Sequence, residues 1–187
     1  MIVVAVVGVL AALSVVSLRR YMTAAKASEA KQVVGEVSRS AHAAYQREQA
    51  VAQTVGEGAE SVQVSHQLCG TAIPVPALAP PAKKYQPDTS AGVDFQSGDD
   101  SNGWKCLKFN INNPIYHQYL YTLGTSPTAP NSSAACNGGG NTCYEAGALG
   151  DLNGNGVNSR VARTGHVNVA TGTLKASTQI YVENESE

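Results

Sequence analysis

The sequence predicts an α+β fold in which one long N-terminal α-helix, apolar in its first half and amphipathic in its second, packs on a small antiparallel β-sheet head. Three observations carry this reading. Residues 1–18 (MIVVAVVGVLAALSVVSL) contain no charge and only the hydroxyls of Ser14 and Ser17. Residues 19–55 contain no proline and are rich in Ala, Glu, Lys, Gln and Arg, the composition of a continuing helix. Beyond Val55 the chain turns to Gly, Pro, Ser and Asn, interrupted by short runs in which β-branched and aromatic residues alternate with polar ones, the pattern of strands and turns. A chain of 187 residues fits one domain with an extension. The expected division is a helix over 1–55 and a head over 56–187, with 1–18 as membrane or filament core and 19–55 as the amphipathic part.

The apolar run is long enough to cross most of a bilayer, and Arg19 and Arg20 mark where it meets water. A signal anchor carries a basic flank ahead of its apolar stretch. None stands ahead of Met1, so leader residues are expected upstream of this sequence. In the second half, at about 100° per residue, Ala30, Val33, Val37, Ala41, Ala44, Val51 and Val55 fall on one stripe. Lys31, Arg39, His42, Gln46 and Gln49 fall opposite, while Glu48 interrupts the stripe. Gly56 is the expected stop. A helix of this extent is ~80 Å long, more than a small head can cover, so its first half must be buried in lipid or against copies of itself. An ordinary single-pass anchor followed by a coiled stalk satisfies the same pattern.

In the head, residues 71–87 (TAIPVPALAPPAKKYQP) carry Pro74, Pro76, Pro80, Pro81 and Pro87. These disfavour a helix and a central strand alike, and a wrapping loop or linker is expected. Residues 104–111 (WKCLKFNI) and 115–123 (IYHQYLYTL) read as two adjacent antiparallel strands, with Asn112-Asn113-Pro114 as the turn between them. The Gly, Ser and Asn-rich stretch 124–141 reads as an exposed loop. Strands near 142–148, 159–169 and 173–182 complete an antiparallel meander.

Cys69, Cys106, Cys136 and Cys143 form no Cys-x-x-Cys pair, so they read as two structural disulfides in an oxidising compartment rather than as a zinc or redox site. Three pairings exist. Cys69–Cys106 with Cys136–Cys143 is favoured because the second pair closes a short Gly-rich loop.

A formal charge of −1 and a charged fraction of 14% supply no basic field for a nucleic-acid backbone, and no specific nucleic acid is expected as a partner. Asp151, Asn153 and Asn155 have the alternating spacing of a calcium loop. Only one of them is charged, however, and Ala162 stands where a bidentate glutamate would, while Asn-Gly pairs are ordinary turn residues. The turn reading is the stronger, with calcium as the alternative cofactor. His42, His66, His117 and His166 are dispersed without a ligand spacing. No nucleophile, base and orienter pattern is present, so no catalytic residue is assigned and an enzyme is not expected. Tyr116, Tyr119, Tyr121 and Tyr144 are read as core or cross-strand residues before an adhesive surface.

The segment MIVVAVVGVLAAL, with Gly8 and Leu10-Ala11-Ala12 at their spacing, resembles the second part of the type IV pilin N-terminal motif. Tyr21 and KASEAK (26–31) extend the likeness, and KKYQP, GWKCLKF and GDLNGNG resemble segments of long pilin-like proteins of predatory and gliding bacteria. The Phe and Glu that open the family motif are not in this chain, and Val16 stands where many members have proline. The resemblance implies a bacterial subunit of an extracellular filament that polymerises with itself, inserted beforehand in the inner membrane and handled there by assembly machinery. Its polymerisation core is then Ile2, Val3, Val6, Gly8, Val9, Leu10, Leu13 and Val16, with Arg19 and Arg20 at the water boundary. The major pseudopilin of a type II secretion system is a rival of the same architecture. A signal-anchored monomeric binding module is a rival of another class.

Overall fold

The computed structural model describes residues 2–47, 57, 66–130, 136, 142–185 and 187. It has the α+β architecture expected. One helix, α1 (Ile2–Gln46), is followed by a six-stranded antiparallel sheet. The strands are β1 (Ala72–Val75), β2 (Gln118–Leu123), β3 (Cys143–Gly150), β4 (Ser159–Asn168), β5 (Thr173–Ala176) and β6 (Tyr181–Glu183). A short helix, α2 (Gly103–Leu107), lies between β1 and β2. The order across the sheet is β1-β2-β3-β4-β5, with β6 also paired to β4.

With no proline to break it, α1 runs for 45 residues, about 68 Å at ~1.5 Å per residue. The expected extension over 48–55, including Val51, Val55 and the stop at Gly56, lies outside the described residues. Only the second half of α1 meets the head. Ala27, Ala30, Val34, Val37, Ala41, Ala44 and Tyr45 are buried, a face at helical spacing that includes four members of the predicted stripe. Val33 is partly buried beside it. The complement is made by size: the helix offers small side chains, and Tyr119, Tyr121 and Tyr144 fill the gap from the sheet, all wholly buried. Tyr121 and Tyr144 stack with ring centres 5.6 Å apart. The Tyr144 hydroxyl lies 2.8 Å from Ser38 Oγ on the helix, so the buried polar ends of these two side chains satisfy each other. Tyr119, Tyr121 and Tyr144 are core residues, as expected for aromatics in short strands, whereas Tyr116, before β2, is only partly buried.

Three expectations are corrected. The segment 104–111 is not a strand. Its alternation of large and polar residues mimics one, but Trp104, Cys106 and Leu107 are buried on a single helical turn. Gly103 (φ 75) opens that turn and Lys108 (φ 54) closes it in the left-handed region. Trp104 donates to Ile73 O at 2.8 Å and packs edge-on against Phe95, and the Cys69–Cys106 disulfide ties the turn down. Tertiary contacts override local strand propensity here. The neighbours of β2 are therefore β1 and β3, and β1 comes from the Pro-rich segment. It is an edge strand, the position in which Pro74 leaves no ladder bond broken.

The third correction concerns 173–182, which is two strands. The chain kinks at Ser177, whose N–H donates to Thr164 O and whose carbonyl accepts from Arg163 Nε at 3.1 Å. It then rejoins the same edge of β4 as β6.

Candidate functional site

The most unusual feature of the molecule is the unclothed half of α1. Ile2, Val3, Val6, Val9, Leu10 and Leu13 all lie on it with more than half of each side chain exposed, Ile2 at 82% and Leu13 at 60%. Gly8 has nothing within 4 Å of the place a Cβ would occupy, so the helix presents a notch there for close approach. Val16, Arg19 and Arg20 follow on the same helix, and Arg20 is exposed. Ser14 and Ser17 donate their hydroxyls to Leu10 O and Leu13 O one turn back, at 2.8 and 3.1 Å. Their polar atoms are thereby satisfied within the helix, which lets them enter an apolar medium at little cost. The helix is long and apolar enough to cross a membrane, with a mean hydropathy of 2.5 over its richest window.

Both favoured disulfides are present, Cys69–Cys106 and Cys136–Cys143, each with Cα atoms 5.8 Å apart. The first joins the start of the Pro-rich segment to α2. The second ties Cys136 to the first residue of β3.

The Asp151 loop is organised as a turn. Asp151 is buried; its Oδ1 accepts from the N–H of Gly154 and Asn155 at 2.6 and 3.1 Å, and its Oδ2 from Gly156 at 3.0 Å. Asn153 Oδ1 accepts from Asn155 N–H, and Asn155 Oδ1 from Val157 N–H. The amide nitrogens of both asparagines donate to Glu187. Gly154 and Gly156 supply the positive φ values of 77 and 83 that the turn needs. The side-chain oxygens at calcium spacing are committed to backbone N–H groups, and Ala162 lies in β4 opposite Gly147. These hydrogen bonds build a tight turn in which Asp151 supplies the single carboxylate.

Three sites were not foreseen. Glu145 on β3 is fully buried. Its Oε1 accepts from Thr128 N–H at 2.8 Å and its Oε2 from Ala129 N–H at 3.1 Å, which holds a stretch of the expected exposed loop against the outer face of the sheet. Burial raises its pKa and the Thr128 and Ala129 donors pull it partly back.

The second site brings His42 and His66 together. They line one cleft of about 290 Å³ with Tyr45, Gln46 and Leu174. His66 Nδ1 lies 2.9 Å from Tyr45 O, and His42 Nε2 lies 3.1 Å from Gln46 Nε2. His117 and His166 lie elsewhere, on the buried approach to β2 and on the exposed side of β4. Among the described residues no group of three or more His, Cys, Asp or Glu is arranged to hold a metal ion.

The third site lies where the head ends above the bare helix. Lys26 Nζ of α1 sits 4.2 Å over the Tyr116 ring, and Lys84 Nζ of the Pro-rich segment sits 5.2 Å from the same ring centre. Sequence spacing carries no signal of this, since the three residues come from three separate stretches. His117, next in the chain, is 1% exposed, its Nδ1 makes no hydrogen bond among the described residues, and burial with Lys26 nearby lowers its pKa to about 4.

No family model matches the chain, and it has no match among curated proteins or solved structures.

Proposed function

We propose that this protein is a structural subunit that polymerises through α1 into an extracellular type IV pilus-like filament. The observation that carries the reading is the division of α1: one continuous helix whose second half completes the core of the head and whose first half covers nothing. Ten Ile, Val and Leu side chains between Ile2 and Leu18 are more than half exposed. Covering them is worth on the order of 10 kcal/mol per subunit at ~1.5–3 kcal/mol for each full burial. Lipid provides that cover for a subunit waiting in the inner membrane, and neighbouring helices provide it in a filament. The two disulfides support an oxidising destination for the head. The resemblance of residues 1–13 to the pilin motif supports self-assembly over a lone anchor, and a head larger than that usual for major pseudopilins favours a pilus over a secretion filament.

Negative-stain microscopy of filaments sheared from cells, with mass-spectrometric identification of their subunit, tests the reading. Filaments containing this chain are expected. Recovery of the chain solely as monomers in the membrane fraction would leave the signal-anchored module in its place.

A further inference from the structure

The cluster at the base of the head gathers two ammonium groups around one ring, with a single half-buried carboxylate, Glu29, acting on both. Lys26 and Lys84 converge on one tyrosine ring. A ring attracts each ammonium, but two like charges drawn to one ring repel each other. Neither has a carboxylate within ion-pair distance among the described residues, where the ion pairs are Lys31–Glu185, Glu36–Arg39 and Arg160–Glu183. The acid that acts on both lysines is Glu29, itself half-buried, with burial outweighing the pull of the two ammoniums. Lys83 beside the cluster and Arg20 below it are exposed and add to the positive charge. Across the base, the Glu185 and Asp151 carboxylates are occupied by Lys31 and by the turn's own N–H groups, and Glu187 by Asn153 and Asn155.

Height along the helix indicates what could neutralise the pair. Lys26 stands about 12 Å above Leu18 at ~1.5 Å per residue. If the apolar run ends at the edge of the hydrocarbon, the headgroup layer occupies the first ~5–8 Å of that distance. The remainder is less than one screening length of ~8 Å at physiological salt. A lysine side chain reaching downward closes the gap, and aromatic and basic residues are the side chains suited to this layer.

We propose that Lys26, Tyr116 and Lys84 form a seat for the phosphate of an anionic phospholipid, which docks the base of the head on the membrane surface from which α1 emerges. This rests on the membrane-inserted precursor in the reading above. The occupant is a lipid headgroup rather than a free anion because the cluster lies on the head's membrane-facing end, continuous with the apolar helix. The basic residues contribute through direct, charge-assisted contact with the phosphate.

The test uses the full chain reconstituted in vesicles of phosphatidylcholine alone or mixed with phosphatidylglycerol, with flotation and amide hydrogen exchange as readouts. Flotation with both lipids is expected, with exchange at Lys83–Tyr85 and Tyr116 slowed only when phosphatidylglycerol is present. Lys26→Gln and Lys84→Gln should each weaken that protection about fivefold, equivalent to ~1 kcal/mol per basic residue. Lys84→Arg should keep it, and Lys175→Gln at the far end of the sheet should leave it unchanged. Flotation with both lipids but equal exchange would overturn the seat and leave the membrane reading standing. Failure to float with either would overturn both. Equal protection of the detergent-solubilised chain by inorganic phosphate would overturn the assignment to lipid.

Discussion

His117 and Glu145 are the buried ionisable groups whose surroundings shift them in opposite senses. For His117 the folded value of about 4 lies below the ordinary ~6.5, because burial first and the Lys26 charge second disfavour the imidazolium. The contribution is therefore fully present above pH ~6.5 and is lost as pH falls from there toward 4. The span corresponds to ~3 kcal/mol, and His117→Gln should flatten the fall in melting temperature across this window. A pH profile identical to the wild type would contradict it. Glu145 has the opposite sign: burial raises its pKa, so its stabilising share is greatest when it is protonated and declines as pH rises through its folded value. Its structural work is larger than its titration. Glu145→Ala should cost about 2 kcal/mol in denaturant melts, since the Thr128 and Ala129 N–H groups lose their acceptor in a buried place. Hydrogen exchange at these two amides should accelerate before that of β3 does.

At the scale of elements, the disulfides divide the head unequally. Cys69–Cys106 closes a separation of 37 residues and Cys136–Cys143 a separation of 7. Loop-closure entropy gives ~4 kcal/mol for the first and ~2 kcal/mol for the second. Replacing Cys69 and Cys106 by Ala should lower the melting temperature of the head more than replacing Cys136 and Cys143, while the helical signal of α1 persists after reduction. Unchanged melting under reducing agent would reject a structural role for both. How far these elements could be read beforehand follows from what shapes them. The helix, β3 and β4 were legible because local composition and burial pattern agree. The turn of α2 was not, because Trp104, Cys106 and Leu107 are placed by Phe95, Ile73 and a disulfide distant in sequence. β1 was hidden by its own prolines, which an edge strand tolerates. The burial of Thr128 and Ala129 under a loop of polar composition depends on one carboxylate across the sheet. The Lys26, Tyr116 and Lys84 cluster exists only after folding brings three segments to one end of the head.

The whole molecule joins two parts that answer to different solvents. Among the described side chains of α1, none from residues 2–25 is buried, whereas Ala27, Ala30 and residues beyond them belong to the core. The head should therefore keep its fold when the apolar half is removed. A chain beginning at Ala25 is expected to be soluble and monomeric, and to melt within a few degrees of the full-length protein in detergent. On the proposed filament reading, stability and assembly should separate, the truncated chain keeping the first and losing the second. Gly8→Leu in the full chain provides the complementary case. The added side chain meets nothing within the subunit and should leave the melting of the head unchanged. In a filament it would stand where neighbouring helices approach, and overpacking at such a contact costs ~1–3 kcal/mol. Because each subunit repeats that contact, filament yield should fall steeply while the amount of membrane-inserted precursor stays constant. A Gly8→Leu strain with normal filaments would show that close approach at this notch is not what the assembly uses. A truncated head that unfolds would instead mean that the bare half of α1 supports the fold through contacts absent from the isolated subunit.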